Sequence, residues 1–195
     1  MKTIIVLGIL FLIAAPFSAA EFTGNSRTVG GGKSSEGAFS YAEDRWRIEE
    51  RLPKNEYRVT LFRADKKSLY VLWPDIKRYL VQPLGDNEFQ IISTRKPGAE
   101  LDRIELGQET ISGFAAVKYL VTYTLQGKVI KNIEWFSKDL GVVIKSHAED
   151  NAWSTEITNI KKGKLDPMLF EVPADFKLLS AKDVLTGPKP AQKTK

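Results

Sequence analysis

From Val117 to Leu125 the side chains sort by parity: Val117, Tyr119, Val121, Tyr123 and Leu125 fall on one side, with Lys118, Thr122 and Thr124 on the other. A period of two belongs to a strand with one face against a core, because successive Cβ atoms of an extended backbone point in opposite directions. Tyr57 to Ala64 repeats the pattern, Tyr57, Val59 and Leu61 alternating with Arg58 and Thr60. Other extended segments are read at Phe22–Val29, from Ala38 through Trp46 and Ile48 to Glu50, and at Ser68–Trp73, Lys77–Gln82, Val129–Ser137, Val142–Ala148 and Trp153–Ile160. Polar turns such as Asp65-Lys66-Lys67, Pro74-Asp75, Lys138-Asp139-Leu140-Gly141 and Glu149-Asp150-Asn151 separate them. About nine or ten short strands at this spacing describe an all-β sheet or barrel.

Some local readings are sharper than others. Ser68–Trp73 is apolar on both parities and is expected to be covered on both faces. Gly30 to Gly37 reads as a flexible turn closing a first hairpin, and the first half is expected to hold four consecutive antiparallel strands. Leu169–Pro173 reads as a short extended piece. Between Pro83 and Leu106 the period changes: Asp86 or Asn87 can cap a short helix through Arg95 that ends at Pro97-Gly98, and a strand through Phe89–Ile92 competes with it. The β pattern resumes at Val117.

The N-terminus places Lys2 before an apolar run from Ile4 to Ala15, then Pro16 and the small residues Ser18-Ala19-Ala20. That is the plan of a secretory signal peptide over residues 1–20, and the run is shorter than the roughly 20 apolar residues a bilayer-spanning helix needs. The sequence therefore predicts export to the periplasm or another extracytoplasmic compartment, with no stable membrane span after cleavage. Removing 20 of the 195 residues leaves 175, enough for one core. A single domain is expected over 21–180, followed by a disordered Lys- and Pro-rich tail over 181–195.

Composition narrows the chemistry. With 0 Cys and 1 His, neither a disulfide framework nor a thiolate metal site is available. The net charge of +5 is interspersed with acids and forms no stripe for nucleic acid. His147 lies near the turn acids Glu149 and Asp150, yet no nucleophile-elbow motif accompanies it, so no catalytic residue is assigned. Glu49 and Glu50, adjacent on a strand, point to opposite faces and cannot form a glycosidase pair by themselves. Gly30-Gly31-Gly32-Lys33 lacks phosphate-loop spacing. No metal or cofactor is expected.

The order of several segments carries a resemblance. These are W-R-I-E (Trp46–Glu49), R-A-D-K-K-S-L-Y-V-L-W-P (Arg63–Pro74), K-R-Y-L (Lys77–Leu80), L-G-Q-E-T-I-S-G (Leu106–Gly113), K-Y-L-V-T-Y (Lys118–Tyr123), W-F-S-K-D-L-G (Trp135–Gly141) and L-F-E-V-P (Leu169–Pro173). Together, from about Gly37 to Phe176, they resemble the outer-membrane lipoprotein carrier superfamily, the LolA/LolB-like fold, and within it a branch of small exported bacterial proteins of unknown function. The resemblance implies a curved antiparallel sheet forming an incomplete, half-open β-barrel with at most one or two short helices. In the carriers the apolar concavity holds lipoprotein acyl chains. The carriers begin with an amphipathic helix, whereas residues 21–37 here are Gly/Ser-rich and strand-like.

A curved sheet without large covering helices leaves part of its apolar face open, and such a face marks a binding site. The expected ligand-binding residues are Trp46, Ile48, Leu61, Leu72, Tyr119, Tyr123 and Trp135. The expected function is non-enzymatic binding of a lipid, an acyl chain or another hydrophobic ligand. The alternative is a protein-interaction or envelope-stress sensing subunit of the same fold, with an envelope protein as partner. Edman sequencing of the exported protein is expected to begin at Glu21; a chain still starting at Met1 refutes the cleavage site.

Overall fold

The computed structural model describes residues 20–42, 45–52, 55–84, 100–125 and 127–179. These contain β1 (Phe22–Gly30), β2 (Lys33–Ala42), β3 (Arg45–Arg51), β4 (Tyr57–Arg63), β5 (Ser68–Trp73), β6 (Arg78–Pro83), β7 (Glu100–Ile111), β8 (Phe114–Leu125), β9 (Lys128–Ser137), β10 (Val142–Ala148), β11 (Trp153–Lys162) and β12 (Lys177–Leu178). All join one sheet in the order β12-β6-β5-β4-β3-β2-β1-β11-β10-β9-β8-β7. The sheet is curved and open, not closed into a barrel, and no helix of seven or more residues occurs among the described residues. Two antiparallel meanders, β1 to β6 and β7 to β11, meet where β1 pairs with β11.

Local chemistry explains the connections. Gly31 and Gly32 have φ of +57° and +72°, the paired positive values a tight two-residue hairpin turn requires. The turn is therefore two residues long, and Lys33 to Gly37, read from sequence as flexible, already belongs to β2. The β4–β5 and β5–β6 hairpins share one device: a 3₁₀ turn, Ala64–Lys66 or Pro74–Ile76, closed by a lysine at positive φ, Lys67 or Lys77.

The segment Ala38 to Glu50, read as one strand, is two strands folded so that Tyr41 faces Trp46 and Phe39 faces Ile48. The apolar parity switches from Phe39 and Tyr41 to Trp46 and Ile48, but no Gly or Pro marks the turn. The first half accordingly holds six consecutive antiparallel strands where four were expected. β7 escaped the reading because nearly all its described side chains are exposed, so neither parity is apolar. Leu169 and Phe170, expected to be extended, lie in a 3₁₀ turn over Pro167–Phe170, with the Asp166 carboxylate accepting from the Met168 amide at 2.9 Å. The helix and strand readings over 86–95, the segment 1–19 and the tail beyond 179 lie outside the described residues.

Curvature is written into two glycines. A Cβ on Gly37 would sit 2.5 Å from the Glu49 carbonyl oxygen, and one on Gly24 2.8 Å from that of Thr158. At both sites a neighbouring strand approaches closer than any side chain permits. Gly24 lies at a bulge in the β1–β11 pairing, which adds local bend. The main buried cluster gathers Phe22, Phe39, Tyr41, Val142, Ile144 and Ile157 among others, with Trp46 and Ile48 packed against it; a second holds Val59, Leu61 and Leu72. Gly37→Ala is expected to cost about 1–3 kcal/mol in a urea titration, the range for overpacking. Gly31→Asn, in open space at a φ that Asn tolerates, is expected to cost less.

Candidate functional site

Strand register sorts the expected site residues onto two faces. Trp46 lies opposite Tyr41 and Phe62, and its ring stacks on Phe62 with centroids 5.6 Å apart. Ile48 lies opposite Phe39 and Thr60. Outward from these, Phe62 pairs with Leu69, Thr60 with Val71, and Val71 with Leu80. Gly37 shares the parity of Phe39 and Tyr41, whose buried cluster on this side is enclosed by the sheet's own strands, so this is the side toward which the curved sheet bends. Trp46, Ile48, Leu69, Val71 and Leu80 are half-buried there, while Phe62 is fully buried beneath them.

The same face continues through the pairs Ser26–Ile157, Thr155–Ser146, Ser146–Glu134 and Glu134–Tyr119, which brings Tyr119 and Tyr123 onto it. This end is polar. The Tyr123 hydroxyl donates to the buried Glu134 carboxylate, Arg103 reaches the other Glu134 oxygen at 3.3 Å, and the Arg103 guanidinium lies 4.9 Å from the Tyr119 ring centre. A buried carboxylate with a hydroxyl and a guanidinium is a satisfied network.

Leu61, Leu72 and Trp135 point the other way. Leu61 faces Arg47 and Tyr70, Leu72 faces Val59 and Tyr79, and both are fully buried under Val172 and Phe176. Trp135 pairs with Lys118 and Lys145; its ring lies 5.0 and 5.2 Å from their ammonium groups, and its Nε1 donates to Glu109 at 3.0 Å. Register thus places Trp46, Ile48, Tyr119 and Tyr123 on one face and Leu61, Leu72 and Trp135 on the other, with Trp135 still joining the main buried cluster against which Trp46 and Ile48 pack. Alternation reveals that two faces exist; which one is concave depends on the long-range pairing of the strands.

The cover over Leu61 and Leu72 is a strap, residues 167–179, fixed by cations the sequence reading passed over. Arg63 is buried; its Nη1 donates to the Phe170 carbonyl at 3.0 Å and meets Glu171 at 2.5 Å, while Nε and Nη2 bind Asp65 at 2.9 and 2.7 Å. Arg47 donates to the Leu169 carbonyl at 3.2 Å, and the Arg45 guanidinium lies 5.1 Å from the Phe170 ring centre. Lys77 and Asp175 pair at 2.7 Å beside β12. A signal existed: Arg45, Arg47 and Arg63 share one parity of two neighbouring strands.

Other groups make ordinary structural contacts. The His147 ring packs against Trp135 with centroids 5.4 Å apart, and its Nδ1 is 2.7 Å from the Ala148 carbonyl. Asp150 is occupied in its turn, accepting from the Ala152 amide at 3.0 Å. Glu49 and Glu50 do point apart: Glu49 accepts from Arg47 and Tyr57, Glu50 from Arg58. Among the described residues no group of three or more His, Cys, Asp or Glu side chains is placed to hold a metal ion. A groove of about 700 Å³ crosses the middle of the sheet, lined mostly by polar residues including Arg27, Glu36, Glu49 and Glu156; Arg27 and Glu36 pair within it at 3.3 Å.

The strap carries a pH dependence. The hydrogen bond from Arg63 holds the Asp65 carboxyl below its ordinary range; at Glu171 burial pushes upward, but the Arg63 hydrogen bond and charge outweigh it and the net direction is down. Carboxyls lowered in the folded state contribute stability that is complete above their unfolded values, about pH 4, and is lost as pH falls through the folded ones. Urea titrations are expected to show this loss in the wild type. Arg63→Met should lower stability by about 2 kcal/mol at pH 7, remove much of the acid dependence and open residues 167–179 to proteolysis.

No protein-family model matches the chain, and no curated protein matches it. Solved structures do. PNGF-II is 13% identical with a TM-score of 0.52, over 86% of this chain and 33% of that one. MucB, in the Pseudomonas aeruginosa MucA/MucB complex, is 16% identical with a TM-score of 0.44, over 84% and 59%. A LolA superfamily protein from Nitrosomonas europaea is 10% identical with a TM-score of 0.37, over 82% and 92%. The chain spans a third of the first and under two thirds of the second. At such identities the likeness is one of fold alone, and LolA superfamily proteins, whose pattern the sequence resembles, are among the structures the chain is similar to.

Proposed function

We propose that the protein is a non-enzymatic binding module of the cell envelope that holds an acyl chain or another hydrophobic ligand against the concave face of β3 to β6. The observation that carries this reading is an asymmetry between the two sides of the same strands. On the convex side the apolar residues Val59, Leu61 and Leu72 are sealed beneath the strap. On the concave side Trp46, Ile48, Leu69, Val71 and Leu80 stay half-buried, forming an apolar patch around Phe62 that Thr60 interrupts between Ile48 and Val71. A contiguous, partly exposed apolar surface is what a hydrophobic ligand covers.

The arithmetic is sufficient. A fully buried methylene contributes about 0.8 kcal/mol, so a chain half-enclosed over a dozen carbons gains several kcal/mol and reaches micromolar affinity after ordering costs. Export to the periplasm belongs to the same reading, supported by the signal-peptide pattern of residues 1–20. Among the described residues no helix is long and apolar enough to cross a membrane.

Mature protein is expected to bind a fluorescent fatty acid saturably. Trp46→Asp should weaken that binding about tenfold, or ~1.4 kcal/mol, while Arg27→Ala in the polar groove leaves it unchanged. Native mass spectrometry of protein taken from its own envelope identifies the ligand. Absence of saturable binding by the folded wild type overturns the reading.

A further inference from the structure

The two borders of the sheet are finished differently. At one border β6 is paired by the chain's own β12, where the Leu179 amide donates to the Tyr79 carbonyl at 2.8 Å and Lys177 lies opposite Arg78. At the other, β7 is the last strand among the described residues, and its apolar side chains stand in solvent: Leu101 is 61% exposed, Ile104 48% and Leu106 49%. A free edge presents unpaired backbone donors and acceptors that another extended chain can satisfy. We propose that this edge docks an extended peptide of a protein partner, one with basic residues flanking an apolar residue, which adds to the sheet as a further antiparallel strand beside β7. This goes beyond the concave-face reading and uses a different surface.

Register and charge specify the guest. Ile104 pairs with Leu120, and Leu120 with Ile133, so an apolar row crosses three strands and ends exposed at the edge. An apolar guest residue beside Ile104 extends that row. Asp102 and Glu105 bracket Ile104, and β7 as a whole carries Glu100, Asp102, Glu105 and Glu109 against the single cation Arg103. Arg103 is turned inward onto Glu134, and Glu109 is taken by Lys118 at 3.1 Å. Asp102, whose carboxylate accepts from the Arg103 amide at 2.9 Å, and Glu105 keep negative charge beside Ile104, which calls for basic guest residues, since opposite charges facing each other across strands attract and like charges repel.

The same rule disfavours a second copy of this chain, whose β7 would set acid against acid. Two bulges, between Glu100 and Asp102 and between Glu105 and Gly107, bound a regular run of ladder from Asp102 to Glu105. Bulges and charges are the devices that keep an edge from pairing indiscriminately, so this edge selects a short complementary peptide.

The probe is a labelled eight-residue peptide centred on Lys-Val-Thr-Lys, titrated into mature protein by fluorescence anisotropy and followed by amide hydrogen exchange. Saturable binding is expected, at least ten times tighter than for the peptide centred on Glu-Val-Thr-Glu. New protection should fall on alternate residues of Asp102–Glu105, because successive amides of a strand point to opposite sides. Asp102→Lys/Glu105→Lys should reverse the peptide preference and leave fatty-acid binding intact; Glu105→Lys alone serves if the double variant does not fold. Equal binding of both peptides, no binding at millimolar concentration, or protection away from β7 overturns the proposal. Dimerisation through β7 also overturns it and assigns the edge to a second copy.

Discussion

Everything in this molecule hangs on the antiparallel pairing of β1 with β11. It is the seam between two meanders, and without it they would be separate ribbons with two further raw edges. The strands it joins are far apart in sequence: the hydroxyls of Thr28 and Thr155, 127 residues apart, meet at 3.1 Å. Such a contact forms only after a long loop is closed, so it depends on the local hairpins being in place and then locks their relative position. The bulge at Gly24 bends the seam, and Phe22 beside it is wholly buried in the main cluster.

Curvature then creates two unlike surfaces from one set of strands. On the convex side of β3 to β6 the chain returns upon itself, and Arg63 anchors the return by binding a strap carbonyl and two carboxylates at once. A buried guanidinium is tolerable only with its donors occupied, and here three groups, the Phe170 carbonyl and the Asp65 and Glu171 carboxylates, supply the acceptors. On the concave side the apolar patch from Trp46 to Leu80 remains half-buried. The same contrast recurs at the borders, where β12 pairs with β6 and β7 stands exposed. Among the described residues, covered and exposed surfaces therefore alternate around the sheet.

Strands whose two parities differ are legible in the order of residues alone. Val142–Ala148 matches β10 to the residue, and the alternation of Val117 to Tyr123 survives in the burial of β8, because a half-buried strand must place apolar groups two apart. Turns built on Gly or on Lys and Asp were legible for a similar reason: they need special backbone or solvated polar groups. Hidden from sequence were β7, exposed on both faces, and the hairpin inside Ala38–Glu50, which no Gly or Pro marks and which shows only as a switch of parity from Tyr41 to Trp46. Which parity faces inward follows from long-range pairing instead. Trp46 and Leu61 are equally apolar and sit on neighbouring strands, yet a one-residue difference in register sends them to opposite sides, one onto the concave face and one beneath the strap. Local patterning specifies that a strand has two faces; long-range register, the close approach at Gly24 and Gly37 and the return of the C-terminal segment specify what each face meets.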